Sequence, residues 1–245
     1  MPAFVDLSHR IEPDMSVYPG DRAVKRVAHA THANNGYRAE TLSLSSHTGT
    51  HIDAPLHTER GGNSLGDYPL DRFVFECVRV DCRDLDAREP ITPDRLPRDA
   101  TADSDMVVLW TGWDIHWKTD RYADHPFVAP ETAAALADRG LAVGLDAFSP
   151  DPTPSPTAAG DANDDTGEAT ADDTADIDEA TADNIAETGD DPLAAHHALL
   201  GSDCLVVENL TNLAGVGDRF ELRAYPLALG GDGAPVRAVG VDTDR

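Results

Sequence analysis

Apolar residues along this chain fall mostly into short runs bounded by Gly, Pro, Asp and Ser, the pattern of strands rather than of long helices. FVDL (residues 4–7), RAETLSLSS (38–46), FVFECVRVDC (73–82), MVVLWTG (106–112), LAVGLDAF (141–148), CLVVENL (204–210) and APVRAVGVD (234–242) all read this way. Two segments carry helical signals instead. Pro130 and Glu131 open ETAAALADR, which Gly140 closes, and Asp191 and Pro192 open LAAHHALL, which Gly201 closes. Asp or Pro at a helix start and Gly just past its end are the expected punctuation. Strands preceding and alternating with a few helices predict an α/β or α+β domain on a mixed sheet.

One stretch departs from this pattern. Residues 153–191 contain 13 acids, no Lys or Arg, and only Ile177 and Ile185 as large apolar side chains. That composition buries too little surface to offset the entropy of ordering, so a disordered acidic insertion is expected there. Without it roughly 205 residues remain, an ordinary size for one domain, and residues 1–245 are read as a single domain interrupted by the insertion.

Charge narrows the choice of partners. The net charge is −26, with 45 acids against 19 bases, and only Lys25 and Lys118 are lysines. Such a field repels nucleic acid and anionic membranes, so neither is expected to bind. An Asp-rich, Lys-poor surface suits high ionic strength, where salt screens the self-repulsion; a halophilic protein that loosens in low salt is expected. No apolar run reaches the length of a membrane span, and MPAFVDLSHR lacks a basic segment ahead of a longer apolar one. The expectation is a soluble cytoplasmic protein. Cys77, Cys82 and Cys204, without CxxC spacing, read as buried thiols, the first two on opposite faces of one strand.

Candidate chemistry concentrates in HTGTHIDAPLH, residues 47–57. Gly49, the β-branched Thr48, Thr50 and Ile52, and Pro55 all oppose a helix. In an extended chain His47, Gly49, His51, Asp53 and His57 share one face, while Thr48, Thr50, Ile52, Ala54 and Leu56 form the core-facing one. At about 3.3 Å per residue, His51 and Asp53 are about 7 Å apart and can share an ion; His47 lies about 13 Å from His51. A bend near Gly49, or a second metal, is needed to bring it in. Glu208, which ends the apolar run CLVV, is a further ligand candidate, since a carboxylate there is costly without a partner. His196 and His197 on the short helix are others, and periodicity does not choose between them. Imidazole nitrogen with carboxylate oxygen suits Zn²⁺, with Mn²⁺ the main rival. Trp110, Trp113 and Trp117 read as core packing or as walls of an aromatic pocket.

DLSHRI, YPGD, HTGTHIDAPLH, TGW, SPDP, HHALL, ENLTNL and GGDGAPVRAV occur in an order that resembles the metal-dependent cyclase family and its branch of bacterial kynurenine formamidases. The resemblance implies a compact mixed β/α domain on a partly barrel-like sheet with a few flanking helices, usually a homodimer or higher homo-oligomer. It implies that His47, His51 and Asp53 are metal ligands, with Asp53 bridging two ions, and that His57 is the acid–base histidine. The family's distal His and Glu stand twelve residues apart, which selects His196 with Glu208, the second bridging ligand, and two Zn²⁺ per chain. Tyr18 falls where formamidases of this family carry a substrate-stacking Trp. The implied activity is hydrolysis of N-formyl-L-kynurenine to L-kynurenine and formate. Because of Tyr18, isatin or another cyclic or aryl amide is an alternative substrate. A non-enzymatic metal-binding or interaction protein working through the acidic insertion is a different class of reading. Deleting residues 153–191 separates the two, since an enzyme should keep its hydrolysis.

Overall fold

The computed structural model describes residues 3–97, 103–154 and 191–242. Most of the expected acidic insertion, residues 155–190, lies outside the described residues. In chain order the strands are β1 (Ala3–Asp6), β2 (Lys25–Ala30), β3 (Ala39–Ser43), β4 (His51–Asp53), β5 (Val74–Asp81), β6 (Pro90–Ile91), β7 (Met106–Trp110), β8 (Phe127–Val128), β9 (Ala142–Leu145), β10 (Val206–Glu208), β11 (Arg219–Arg223), β12 (Gly233–Pro235) and β13 (Val239–Asp242). The helices are α1 (His32–Asn35), α2 (Pro130–Ala137) and α3 (Ala194–Leu200).

Nine strands form one mixed sheet in the order β1-β13-β11-β5-β7-β9-β10-β4-β12. The central β5, β7, β9 and β10 run parallel, and the flanking pairs are antiparallel. Parallel strands covered on both faces read as continuous apolar runs, which is why MVVL and LAVGL carry no polar alternation. Met106 and Val108 of β7 point into one core, and Val107 and Leu109 into the other. The second core is covered by α2 and α3 through Leu136, Ala195 and Leu199.

The first core shows how the sheet curls. Ala234 from edge strand β12 packs in the same cluster as Leu7, Phe220 and Leu222, near the opposite edge. Distant parts of the sheet are also tied by backbone: Pro226, past β11, bridges Val236, past β12, and the Thr211 N–H, past β10, donates to the Leu7 carbonyl, past β1 (3.0 Å). The architecture is therefore a mixed α/β fold on a strongly curled, half-barrel sheet with few helices.

The β2–β3 hairpin stands apart from both cores. Val27, Tyr37 and Leu42 are exposed, and Ala30 is its one buried residue. Cys77 and Cys82 lie in the two different cores, and all three cysteines are free and buried. The run APVRAVGVD forms two strands rather than one, broken at Val236–Ala238, and RFELR forms β11, which the sequence reading did not single out. Among the described residues no helix is long and apolar enough to cross a membrane.

Candidate active site

The site begins on two short neighbouring strands. β10 pairs antiparallel with β4 in a register that sets Glu208 opposite His51 and Val206 opposite Asp53. His51 and Asp53, two residues apart, share the face toward α3, while Ile52 points into the first core. His47 reaches the same place because the chain turns at Gly49, whose φ of +64° favours glycine. Its Nδ1 lies 2.7 Å from Asp53 Oδ1. Gly233 on β12 makes room for that ring: a Cβ there would sit 2.6 Å from His47 Cε1.

The extended reading of residues 47–57 needs correction beyond Asp53. Pro55 opens a 3-10 turn over Pro55–His57, and the turn rotates Leu56 out to solvent, where it is 39% exposed rather than facing the core. The same turn leaves the His57 ring 4.1 Å from that of His47 and 5.5 Å from that of His196.

From the other side α3 delivers His196, whose Nε2 is 3.3 Å from Glu208 Oε1 and 3.8 Å from Asp53 Oδ2. His197, the neighbouring candidate, instead points outward, with Nδ1 3.6 Å from Glu59. Among the described residues three groups could each hold a metal ion: His47, His51 and Asp53; Asp53, His196 and Glu208; and the less buried His47, His57 and Asp232. The first two share Asp53.

The hydrogen bonds set the imidazoles for coordination. His51 Nδ1–H donates to the Gly49 carbonyl (2.8 Å), and His196 Nδ1–H donates to Asp151 (2.7 Å). Each ring therefore turns an Nε2 lone pair toward the carboxylates. His51 Nε2, Asp53 Oδ2 and Glu208 Oε1 are buried yet have no hydrogen-bond partner. Leaving polar atoms so costs free energy, and divalent cations held by these residues would satisfy them. The residues present fit such an ion.

Electrostatics points the same way. Burial on its own lowers the pKa of His51 and His196, but Asp53 and Glu208, joined by Asp151 at His196, outweigh it and hold both well above the usual value. His47 is likewise raised to about 9 against its burial, by Asp232 and Asp53. The cluster attracts positive charge, and cation and protons compete for it.

Two carboxylates not assigned from sequence complete the surroundings. Asp151, in the SPDP segment, accepts the Ala195 and His196 backbone N–H groups as well as the His196 ring. Asp232, in GGDGAPVRAV, lies 2.8 Å from His47 Nε2 and 3.4 Å from His57 Nδ1. Those two hydrogen bonds hold its pKa well below the usual carboxylate range. Both segments were visible as motifs; the acids within them acquire roles only once α3 and β12 are folded against β4.

A cavity of about 280 Å³ opens over the cluster, with Tyr18, Asp21, Phe148 and Ser149 in its wall. Tyr18 meets Phe148 edge-on, ring centres 6.0 Å apart. Its hydroxyl pKa is pushed up to about 12 by burial and by the nearby Glu208, Asp151 and Asp21 carboxylates. The tryptophans do not line this cavity. Trp113 packs with Tyr122 and Phe148, Trp117 stacks on His9, and Trp110 lies against the guanidinium groups of Arg79 and Arg83.

Comparison with known proteins assigns the class. The chain is 33% identical to a kynurenine formamidase of Salinibacter ruber over 97% of its own length and 96% of that protein. It is 30% identical to a kynurenine formamidase of Bordetella avium over 96% and 95% of the two chains. Among solved structures, isatin hydrolase A from Labrenzia aggregata superposes with a TM-score of 0.75 at 21% identity, covering 99% of this chain and 94% of that one. A potential metal-dependent hydrolase with cyclase activity superposes at 0.69 with 25% identity over the full length of both. The fold and site are those of a metal-dependent amidohydrolase, which cleaves a C–N amide bond in a small molecule. The family model described as putative cyclase matches residues 5–152, and the chain belongs to that family.

Proposed function

We propose that the chain hydrolyses N-formyl-L-kynurenine to L-kynurenine and formate. The observation that carries this reading is the convergence of five ligand-type residues, three of which bring a buried polar atom without a hydrogen-bond partner, with His57 beside them. The kynurenine formamidases among the relatives point to the substrate. In this reading His47, His51 and Asp53 hold one ion, and His196 and Glu208 hold a second that Asp53 shares. Two Zn²⁺ suit these donors, with Mn²⁺ as the rival. Divalent ions held by these residues would supply a Lewis acid for the formyl carbonyl and a nucleophilic water at neutral pH.

The protein supplies position and proton transfer. Asp151 and the Gly49 carbonyl fix the rings of His196 and His51. Asp232 accepts the His57 Nδ1–H, which leaves Nε2 free as the base. His57 takes a proton from the attacking water and gives it to the aryl nitrogen as the C–N bond breaks, releasing formate and the free amine. Tyr18 and Phe148 offer an aromatic edge to the substrate ring. Tyr18, standing in for the family's tryptophan, favours isatin or a related cyclic amide as the second reading.

The same proposal takes the enzyme to be a cytoplasmic homo-oligomer. Three free, buried cysteines suit a reducing compartment. The β2–β3 hairpin supports assembly: it exposes Val27, Tyr37 and Leu42, and it carries Lys25, Arg26 and Arg38 against Glu40 alone in a chain of net charge −26. An isolated two-stranded ribbon is marginal in water, so a second copy's acidic body is a fitting cover.

Turnover tests the reading. Protein purified in high salt, loaded with Zn²⁺ or Mn²⁺, is followed by absorbance on N-formylkynurenine and isatin with chelator controls. Chelator-sensitive loss of N-formylkynurenine is expected. Activity on isatin alone would change the substrate, and silence on both without bound metal would overturn the proposal.

A further inference from the structure

The walls of the cavity differ in charge from its floor. Among the described residues its lining includes no Lys or Arg. One carboxylate lines it away from the histidine cluster, that of Asp21. The Asp21 N–H donates to the Tyr18 carbonyl (2.9 Å) in a turn through Gly20, whose φ is +101°. The turn fixes the residue at the cavity mouth, three positions after the aromatic Tyr18. Asp21 is exposed, and its side chain makes no hydrogen bond or ion pair with the described residues. Its charge is nonetheless felt inside, where it helps keep the Tyr18 hydroxyl protonated.

A carboxylate held at the mouth of an aromatic cavity, without an internal partner and without a competing cation, is complementary to an ammonium group. We propose that Asp21 is a specificity-determining residue that selects aryl amides whose side chain ends in a protonated amine. This deepens the formamidase reading and rests on it for the position of the amide. It assigns the opposite end of the substrate: the formamide lies over the histidine cluster, the ring against Tyr18 and Phe148, and the ammonium at Asp21. Neutral aryl amides lose that contact. Substrates whose only charge is an anion near the mouth are repelled.

Binding of two product-like probes tests this without turnover. Kynuramine carries an aryl ketone and an ammonium without a carboxylate, and 2′-aminopropiophenone is its neutral counterpart. Each is titrated calorimetrically into the metal-loaded full chain. An exposed ion pair is worth up to about a five-fold preference, so kynuramine should bind about five-fold more tightly. Asp21→Asn should bring the ratio near one, with the neutral probe's affinity unchanged, and Asp21→Glu should restore part of it. Equal affinities in the unaltered protein, or a preference that survives Asp21→Asn, would overturn the proposal. Hydrolysis of formanilide, a neutral aryl formamide, is measured in parallel. Its loss would count against the amidohydrolase reading, whereas its persistence beside equal probe affinities would count against Asp21 alone.

Discussion

His57 and Asp53 lie only a few residues apart yet touch different things. Asp53 is fully buried between His47, His51 and His196, so an uncharged, shorter side chain there removes the shared centre of the ligand set. His57 is partly exposed and touches Asp232 rather than the buried carboxylates. Asp53→Ala should lose bound metal, measured by elemental analysis, whereas His57→Ala should keep it and lose turnover by about 10²- to 10⁴-fold. Equal metal loss in both would erase the distinction. His9 gives a residue-scale prediction about stability. Its ring stacks on Trp117 at 3.9 Å with Nε2 buried and partnerless, and burial lowers its pKa to about 4 although Asp114 opposes the shift. A histidine whose folded pKa is depressed adds stability above its unfolded value near 6.5, and that contribution is lost as pH falls toward 4. The shift corresponds to about 3 kcal/mol at most. His9→Gln should therefore show a shallower fall in urea stability between pH 7 and 4.5 than the unaltered chain.

At the scale of elements, α3 is too short to be stable by itself, and Asp151 anchors its start through two backbone N–H groups and the His196 ring. Asp151→Ala should weaken metal binding about 10- to 100-fold while most of the second core persists, which a competitive chelator titration would read. This anchoring marks a limit of the sequence. Asp191, Pro192 and Gly201 announced the helix, but nothing in SPDP announced that its acid would meet a helix beyond a 36-residue interval outside the described structure. Parity along HTGTHIDAPLH correctly grouped His51 with Asp53 because both lie on a true strand. It failed at Leu56 because Pro55 starts a turn, and turn geometry overrides alternation. β11 went unnoticed although Phe220 and Leu222 alternate with Arg219, Glu221 and Arg223; five residues without flanking Val or Ile make a weak local signal.

For the whole molecule the dominant quantity is the net charge of −26. Self-repulsion of that size destabilises the compact state unless salt screens it. The thermal midpoint should rise from near-zero to molar salt; a flat profile would refute the halophilic reading. Assembly is tested on the exposed hairpin. Val27→Asp with Leu42→Asp should convert an oligomer to a monomer by light scattering while the two cores, which do not include them, stay folded.

The register of β4 has one more consequence. This three-residue strand lies between β10 and β12, whose residues follow it by more than 150 positions. The histidines near residue 50 thus meet Glu208 and Asp232 only when both ends of the chain have closed the same edge of the sheet. Loops this long make such pairings late events in folding. Three of the five proposed ligands precede residue 54 and the other two follow residue 195, so a metal ion held by all five would be a chemical signature that the later strands have docked.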